Sequence, residues 1–173
     1  MNSEEFKQKL NKIKLLIMDV DGTLTDSAMF YSKNGEELKR FSTRDGMGIT
    51  LLQLGGIDSA IITSENSDIA LARANKLKIH HIILGSHNKI NSIIELAEKL
   101  SISLENIAYI GDDVNDAQAM KICGATACPN DAVNHIKQIV DYICSHNGGN
   151  GAVREFAELI LESQNKQLTL PEN

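Results

Sequence analysis

Two acidic clusters carry the chemistry this chain could do. The stretch "LLIMDVDGTLTD" places Asp19, Asp21 and Asp26 directly after an apolar run. The stretch "IAYIGDDVND" places Asp112, Asp113 and Asp116 after another. Between them, Thr63 closes the apolar run "AIIT", and Lys89 follows "HHIIL" at the start of a helical pattern. Gathered carboxylates repel one another unless something positive holds them. A hard divalent cation is the natural partner, and Mg2+ takes oxygen ligands while keeping some water. Asp19 and Asp112 are candidate side-chain ligands. Asp21, two residues beyond Asp19, shares its face if the strand continues that far. A carboxylate can also act as nucleophile toward phosphorus. A second carboxyl can protonate the leaving oxygen and later activate water. A hydroxyl and an ammonium, Thr63 and Lys89, would hold the transferring phosphoryl group.

Each of these residues has a plain structural reading on its own. Thr63 could cap the helix that follows it, Lys89 could be a solvated helix residue, and "GDDVND" could be a turn. Their shared position decides. The runs "IKLLIM", "DSAIIT", "HHIIL", "NIAYI", "ATAC" and "DYIC" read as short buried strands. They alternate with helical patterns in "RDGMGITLLQLGG", "SENSDIALARANKLK", "NKINSIIELAEKL", "NDAQAMKIC", a segment from about Asp131, and "GAVREFAELILES". Such alternation predicts an α/β fold with a doubly wound, Rossmann-like parallel sheet. Ligands of these sheets bind beyond the carboxyl ends of the strands. Asp19, Thr63, Lys89 and Asp112 all fall at that edge. One stretch breaks the alternation: "AMFYSKNGEELKRFS" reads as a β-hairpin turning at Asn34-Gly35, a flap over about residues 27–42.

The bulk composition sets the class. With 173 residues, 42% of them hydrophobic and 23% charged, the chain suits a single domain, 1–173, with a loose polar tail from about 166 to 173. No long apolar run or leader pattern stands out, so a cytoplasmic protein away from membranes is expected. A net charge of −6 argues against nucleic acid as a partner. Three cysteines at loose spacing suit free thiols. His80 and His81 begin a strand, away from the active edge.

The motifs "DVDGT", an apolar strand ending in Thr63, Lys89 and "GDDVND" together resemble, in that order, those of the haloacid dehalogenase superfamily of phosphohydrolases. That resemblance implies that Asp19 is the nucleophile and Asp21 the general acid/base. It implies that Thr63 and Lys89 bind the phosphoryl group. Mg2+ would be held by the Asp19 carboxylate, the Asp21 main-chain oxygen and Asp112. Asp113 and Asp116 would be supporting acids, with Asp116 orienting Lys89. No segment is long enough to be a cap domain. The hairpin, "NGEELKRFSTRDGMGI" and "GGNGAVREFAELIL" are similar to the capless family that contains 3-deoxy-D-manno-octulosonate 8-phosphate phosphatase. The family implies a homotetramer in which one subunit's flap closes a neighbour's site. It also implies a sugar acid phosphate as substrate, met by Arg44, Asp45, Gly46 and Arg73.

Two positions depart from that family. It reads Thr-Gly-Arg where this chain has Thr63-Ser64-Glu65, and another of its arginines falls at Thr50. A Glu at this place, with Arg73 and Lys76 following, resembles phosphatases of nine-carbon ulosonate 9-phosphates. Glu65 is therefore a further candidate substrate contact, and the eight-carbon and nine-carbon substrates both stay open. A phospho-acceptor signalling domain gathers similar groups, but in a different chain order.

Overall fold

The computed structural model of the chain describes residues 3–170. In chain order the first half holds α1 (Ser3–Leu10), β1 (Leu15–Met18), β2 (Thr25–Ser32), β3 (Gly35–Phe41), α2 (Thr43–Leu54), β4 (Asp58–Ile62) and α3 (Asp68–Lys76). The second half holds β5 (His81–Ile83), α4 (Lys89–Leu100), β6 (Ile107–Ile110), α5 (Ala117–Met120), β7 (Ala125–Cys128), α6 (Asn134–Lys137), β8 (Tyr142–Ile143) and α7 (Ala152–Ser163). Six strands form one sheet in the order β5-β4-β1-β6-β7-β8, every neighbouring pair parallel.

The order follows from helices on both faces. Along β1 the side chains alternate between two apolar layers. Leu16 and Met18 meet Leu52 of α2 and Phe156 and Ile160 of α7. Leu15 and Ile17 meet Ile93 and Leu96 of α4, Met120 of α5 and Ile136 of α6. A strand covered on both faces needs a continuous apolar run rather than alternation, as "LLIM" has. The chain winds outward from β1 to β5, then returns to place β6 on the other side of β1. The crevice between the carboxyl ends of β1 and β6 is therefore the topological switch point, where ligands bind in such sheets. Asp19 and Asp112 lie just beyond those two ends.

Three details differ from the sequence-based expectations. First, α1 was not anticipated; its sequence "SEEFKQKL" is mostly polar, and docking of Phe6 on Tyr142, with stacked rings 5.6 Å apart, holds it to the body. Second, the hairpin starts at Thr25, and its turn is Lys33-Asn34, because Ser32 pairs with Gly35. Register shifts between Thr25 and Met29 and between Phe30 and Tyr31 blur the alternation that would have fixed this pairing from sequence. Third, the start of the tail is tied down: the Lys166 ammonium donates to the Gly55 carbonyl, and Leu168 packs on the core. Residues 171–173 of that expected tail lie outside the described residues.

Candidate active site

The switch-point crevice is built from four strand ends. The Asp19 amide donates to the Ile110 carbonyl at 3.0 Å, which fixes the nucleophile candidate between β1 and β6. Beyond it the chain turns at once, with Thr23, Leu24 and Thr25 amides all donating to the Val20 carbonyl. Strand alternation consequently stops at Met18 and does not reach Asp21. Gly22 makes the turn at φ +89, and a side chain there would collide with the Asp112 carboxylate. The absent Cβ lets the two acidic segments approach. Gly148 does the same on the other side, since a Cβ there would strike the Gly22 carbonyl.

Inside the crevice, Lys89 opens α4 and places its ammonium 2.6 Å from both Asp19 Oδ1 and Asp116 Oδ1. All three residues are buried, Asp116 completely. Asp116 has all four acceptor positions in use. Its Oδ1 accepts from Lys89 and from the Tyr109 hydroxyl at 2.7 Å. Its Oδ2 accepts from the amides of Asp112 at 3.0 Å and Asp113 at 3.3 Å. Asp116 thus holds Lys89 and the loop of the second motif in place. Asp112, in contrast, receives among the described residues only a long hydrogen bond of 3.4 Å from the Thr23 hydroxyl.

The electrostatics follow from that geometry. Burial, then the charges of Asp19, Asp116 and Asp113, push the Asp112 carboxyl up to about 8. Burial, then repulsion from Asp116, raises Asp19 as well, with Lys89 pulling the other way. Burial disfavours charge on Lys89, but Asp19 and Asp116 outweigh it and hold its pKa above the ordinary lysine value. The acids outnumber the ammonium.

Carboxylate oxygens of Asp19, Asp112 and Asp116 lie within 4.8 Å of one another, a donor set suited to a divalent cation. Asp116 is already saturated by its four donors, so Asp19 and Asp112 are the two with oxygens to offer. The under-satisfied, repelled Asp112 carboxylate is what such an ion would relieve. The residues present fit the group.

The other predicted residues divide. Thr63 is buried just past β4, and its hydroxyl accepts the Glu65 amide at 3.3 Å. Glu65 itself is exposed beside it. Arg44 is exposed on the first turn of α2. Asp113 points outward and takes the adjacent Val114 amide at 2.6 Å. Asp45 departs from the expected substrate contact. It is 1% exposed, and its oxygens accept the Gly151 amide at 3.2 Å and the Arg154 amide at 3.0 Å, capping α7. Gly46 makes room for Arg73, whose guanidinium would lie 2.7 Å from a Cβ there. Arg73 donates to the Ser42 carbonyl at 2.9 Å and sits 5.7 Å from the centre of the Phe41 ring. Gly46 and Arg73 thus brace the base of the flap, while Asp45 ties the start of α2 to that of α7.

Sequence reasoning missed two residues of the crevice. Tyr109 reads as a core aromatic within "IAYI", and only its partner Asp116 reveals the use of its hydroxyl. Lys39 reads as one of several exposed flap charges, yet its side chain is fully buried and its ammonium bonds Asp21 Oδ1.

The haloacid dehalogenase-like hydrolase family matches residues 55–156. The 3-deoxy-D-manno-octulosonate 8-phosphate phosphatase KdsC of Haemophilus influenzae is 39% identical over 160 residues, 92% of this chain and 89% of that enzyme. The chain belongs to the haloacid dehalogenase-like hydrolases. Within that family it falls among the capless octulosonate 8-phosphate phosphatase-like proteins, and its enzyme class is phosphoric monoester hydrolase. The crystal structure of the Moraxella catarrhalis phosphatase, in complex with magnesium, phosphate and KDO, matches with a TM-score of 0.91. It is 42% identical, and the match covers 95% of this chain and 94% of that one. The cobalt-bound phosphatase of Haemophilus influenzae matches with a TM-score of 0.89 at 39% identity, over 91% and 92% of the two chains. Both neighbours bind a divalent metal. Among the described residues of this chain, no helix is long and apolar enough to cross a membrane.

Proposed function

We propose that this chain is a Mg2+-dependent phosphatase that hydrolyses 3-deoxy-D-manno-octulosonate 8-phosphate to the free sugar acid and phosphate, a step toward lipopolysaccharide precursors. The observation that carries the reaction is Lys89 set between Asp19 and Asp116, beside an Asp112 carboxylate that the chain leaves almost without donors. The substrate follows from the likeness over nearly the whole chain to a phosphatase that holds KDO and phosphate.

In this reading Asp19 attacks phosphorus and forms an aspartyl-phosphate. Asp21 protonates the leaving sugar oxygen, then takes a proton from the attacking water. Lys89 and Thr63 hold the phosphoryl oxygens, while Asp116 keeps Lys89 charged and aimed. The Asp19 and Asp112 carboxylates and the Asp21 main-chain oxygen would hold Mg2+, which when bound supplies positive charge to the phosphoryl group. Arg44 is the proposed contact for the sugar acid. The exposed apolar side chains of the flap, Phe30, Tyr31 and Leu38, support assembly as a homotetramer in which a flap covers a neighbour's crevice. A cytoplasmic location fits that substrate.

Glu65 favours a second reading, a nine-carbon ulosonate 9-phosphate. It stands exposed next to Thr63, where a cation would suit the carboxylate of the eight-carbon acid better. Steady-state phosphate release with Mg2+ from both esters decides between them. The first reading predicts a higher kcat/KM for the eight-carbon ester and a further rise in that preference for Glu65→Arg. Preference for the nine-carbon ester would establish the second reading, and equal, poor turnover of both would overturn each.

A further inference from the structure

We propose that Lys39, on the flap, is a positioning residue for Asp21, an assignment that rests on the phosphatase reading above. Lys39 lies on β3 opposite Met29, in a hairpin whose outer side chains are exposed and apolar. Its own side chain is 0% exposed. A buried ammonium is unfavourable unless it is paired and hydrogen-bonded, and two carboxylates pair it. One is Asp21 Oδ1, and the other is Glu36 Oε1 at 2.8 Å. Glu36 continues the connection, because its Oε2 accepts the Ser67 hydroxyl at 2.6 Å. Ser67 is the N-cap of α3 and accepts the Ala70 amide at 3.3 Å. The row Asp21, Lys39, Glu36, Ser67 therefore ties the first acidic motif to the flap, and the flap to the loop that carries Glu65.

The two oxygens of Asp21 are left unlike. Oδ1 is anchored by Lys39, whereas Oδ2 is buried with no hydrogen-bond partner, alone in this among the side-chain N and O atoms of the described residues. Buried polar atoms normally find partners. An orphaned carboxylate oxygen two residues from the nucleophile is placed to handle a proton. In the first half-reaction the proton on Oδ2 passes to the ester oxygen as the P–O bond breaks and the bond from Asp19 to phosphorus forms. In the second, Oδ2 takes a proton from water as the water oxygen bonds phosphorus and the Asp19–phosphorus bond breaks. Lys39 touches neither the phosphoryl group nor the water in this scheme. It acts by fixing Asp21 so that Oδ2 alone is free, and it does so only while the flap is in place.

The test compares two leaving groups. The full-length chain and Lys39→Met, Lys39→Arg and Glu36→Gln are assayed with Mg2+ on 3-deoxy-D-manno-octulosonate 8-phosphate and on 4-nitrophenyl phosphate. The nitrophenolate leaves without needing a proton. In Lys39→Met, kcat for the sugar acid ester is expected to fall about 100-fold with KM near the unmutated value, the scale of a misplaced acid/base group. First-turnover release of nitrophenol is expected to stay close to that of the unmutated chain, followed by slow steady-state turnover. Lys39→Arg should recover part of the lost kcat. Glu36→Gln keeps Lys39 and removes one anchor, so it gives a smaller loss with the same leaving-group contrast should Lys39→Met fail to fold. A folded Lys39→Met with unchanged kcat, or equal first-turnover losses for both esters, would overturn the assignment. Absence of phosphate release from either ester by the unmutated chain would overturn the phosphatase reading itself.

Discussion

Asp112 and Glu155 are both partly buried carboxylates, one past β6 and one in the first turn of α7, and the chain surrounds them in opposite ways. Glu155 collects donors from β8 and the loop after it: the Ser145 amide at 2.9 Å, the Ser145 hydroxyl at 2.8 Å, the His146 amide at 3.1 Å and the Tyr142 hydroxyl at 2.7 Å. His146 Nδ1 lies 2.6 Å from it as well. Burial alone would raise its pKa, but these hydrogen bonds outweigh burial and take it down to about 2. Asp112 has a single long contact and three acidic neighbours, and it is pushed up to about 8. A carboxylate whose charge the chain satisfies is holding the fold. One that the chain crowds and leaves without donors is reserved for something that arrives from outside.

The largest expected effect comes from the crowded side. Asp19→Asn keeps the shape and removes the proposed nucleophile, so phosphate release should fall by about a thousandfold or more. Its thermal midpoint should not fall, because a repelling charge has gone. Substantial residual turnover would show that Asp19 is not the attacking group. Next in size, Asp112→Asn should raise the Mg2+ concentration for half-maximal activity by about 100-fold or more, beyond what loss of a supporting residue costs. An unchanged Mg2+ requirement would remove Asp112 from the ligand set.

The satisfied side should answer in stability instead. Glu155→Gln leaves several donors without their charged acceptor and should cost about 1–3 kcal/mol of folding free energy by denaturant titration. The Mg2+ requirement of the folded variant should not change. The pH dependence has a definite sign. Because the folded pKa is depressed from 4.5 to about 2, the stabilising contribution is present above pH 4.5 and disappears as pH falls toward 2. Melting of the unmutated chain and Glu155→Gln should therefore differ at neutral pH and converge in acid. A gap that stays constant down to pH 2 would mean that the Glu155 charge contributes nothing.

The gathering of the acids at one sheet edge was readable because its signals are local. Asp19, Thr63 and Asp112 each end a short apolar run, and parallel winding brings the ends of such runs to one edge. What escaped depended on partners far along the chain. Lys39 meets Asp21 across 18 residues, and Asp45 meets the Arg154 amide across 109. Nothing in the spacing of "STRDG" distinguishes an acid that greets substrate from one that caps a distant helix. The hairpin was visible, but its register was not, because its irregular pairing hides the period of two. Helix α1 has too few apolar residues to announce itself, and docking of Phe6 decides it.

The most direct test of the contrast between the two carboxylates is calorimetric titration of the metal-free protein with Mg2+, in parallel for the unmutated chain, Asp112→Asn and Glu155→Gln. Binding is expected for the unmutated chain, retained in Glu155→Gln and lost in Asp112→Asn. Mg2+ binding that survives Asp112→Asn unchanged would contradict it.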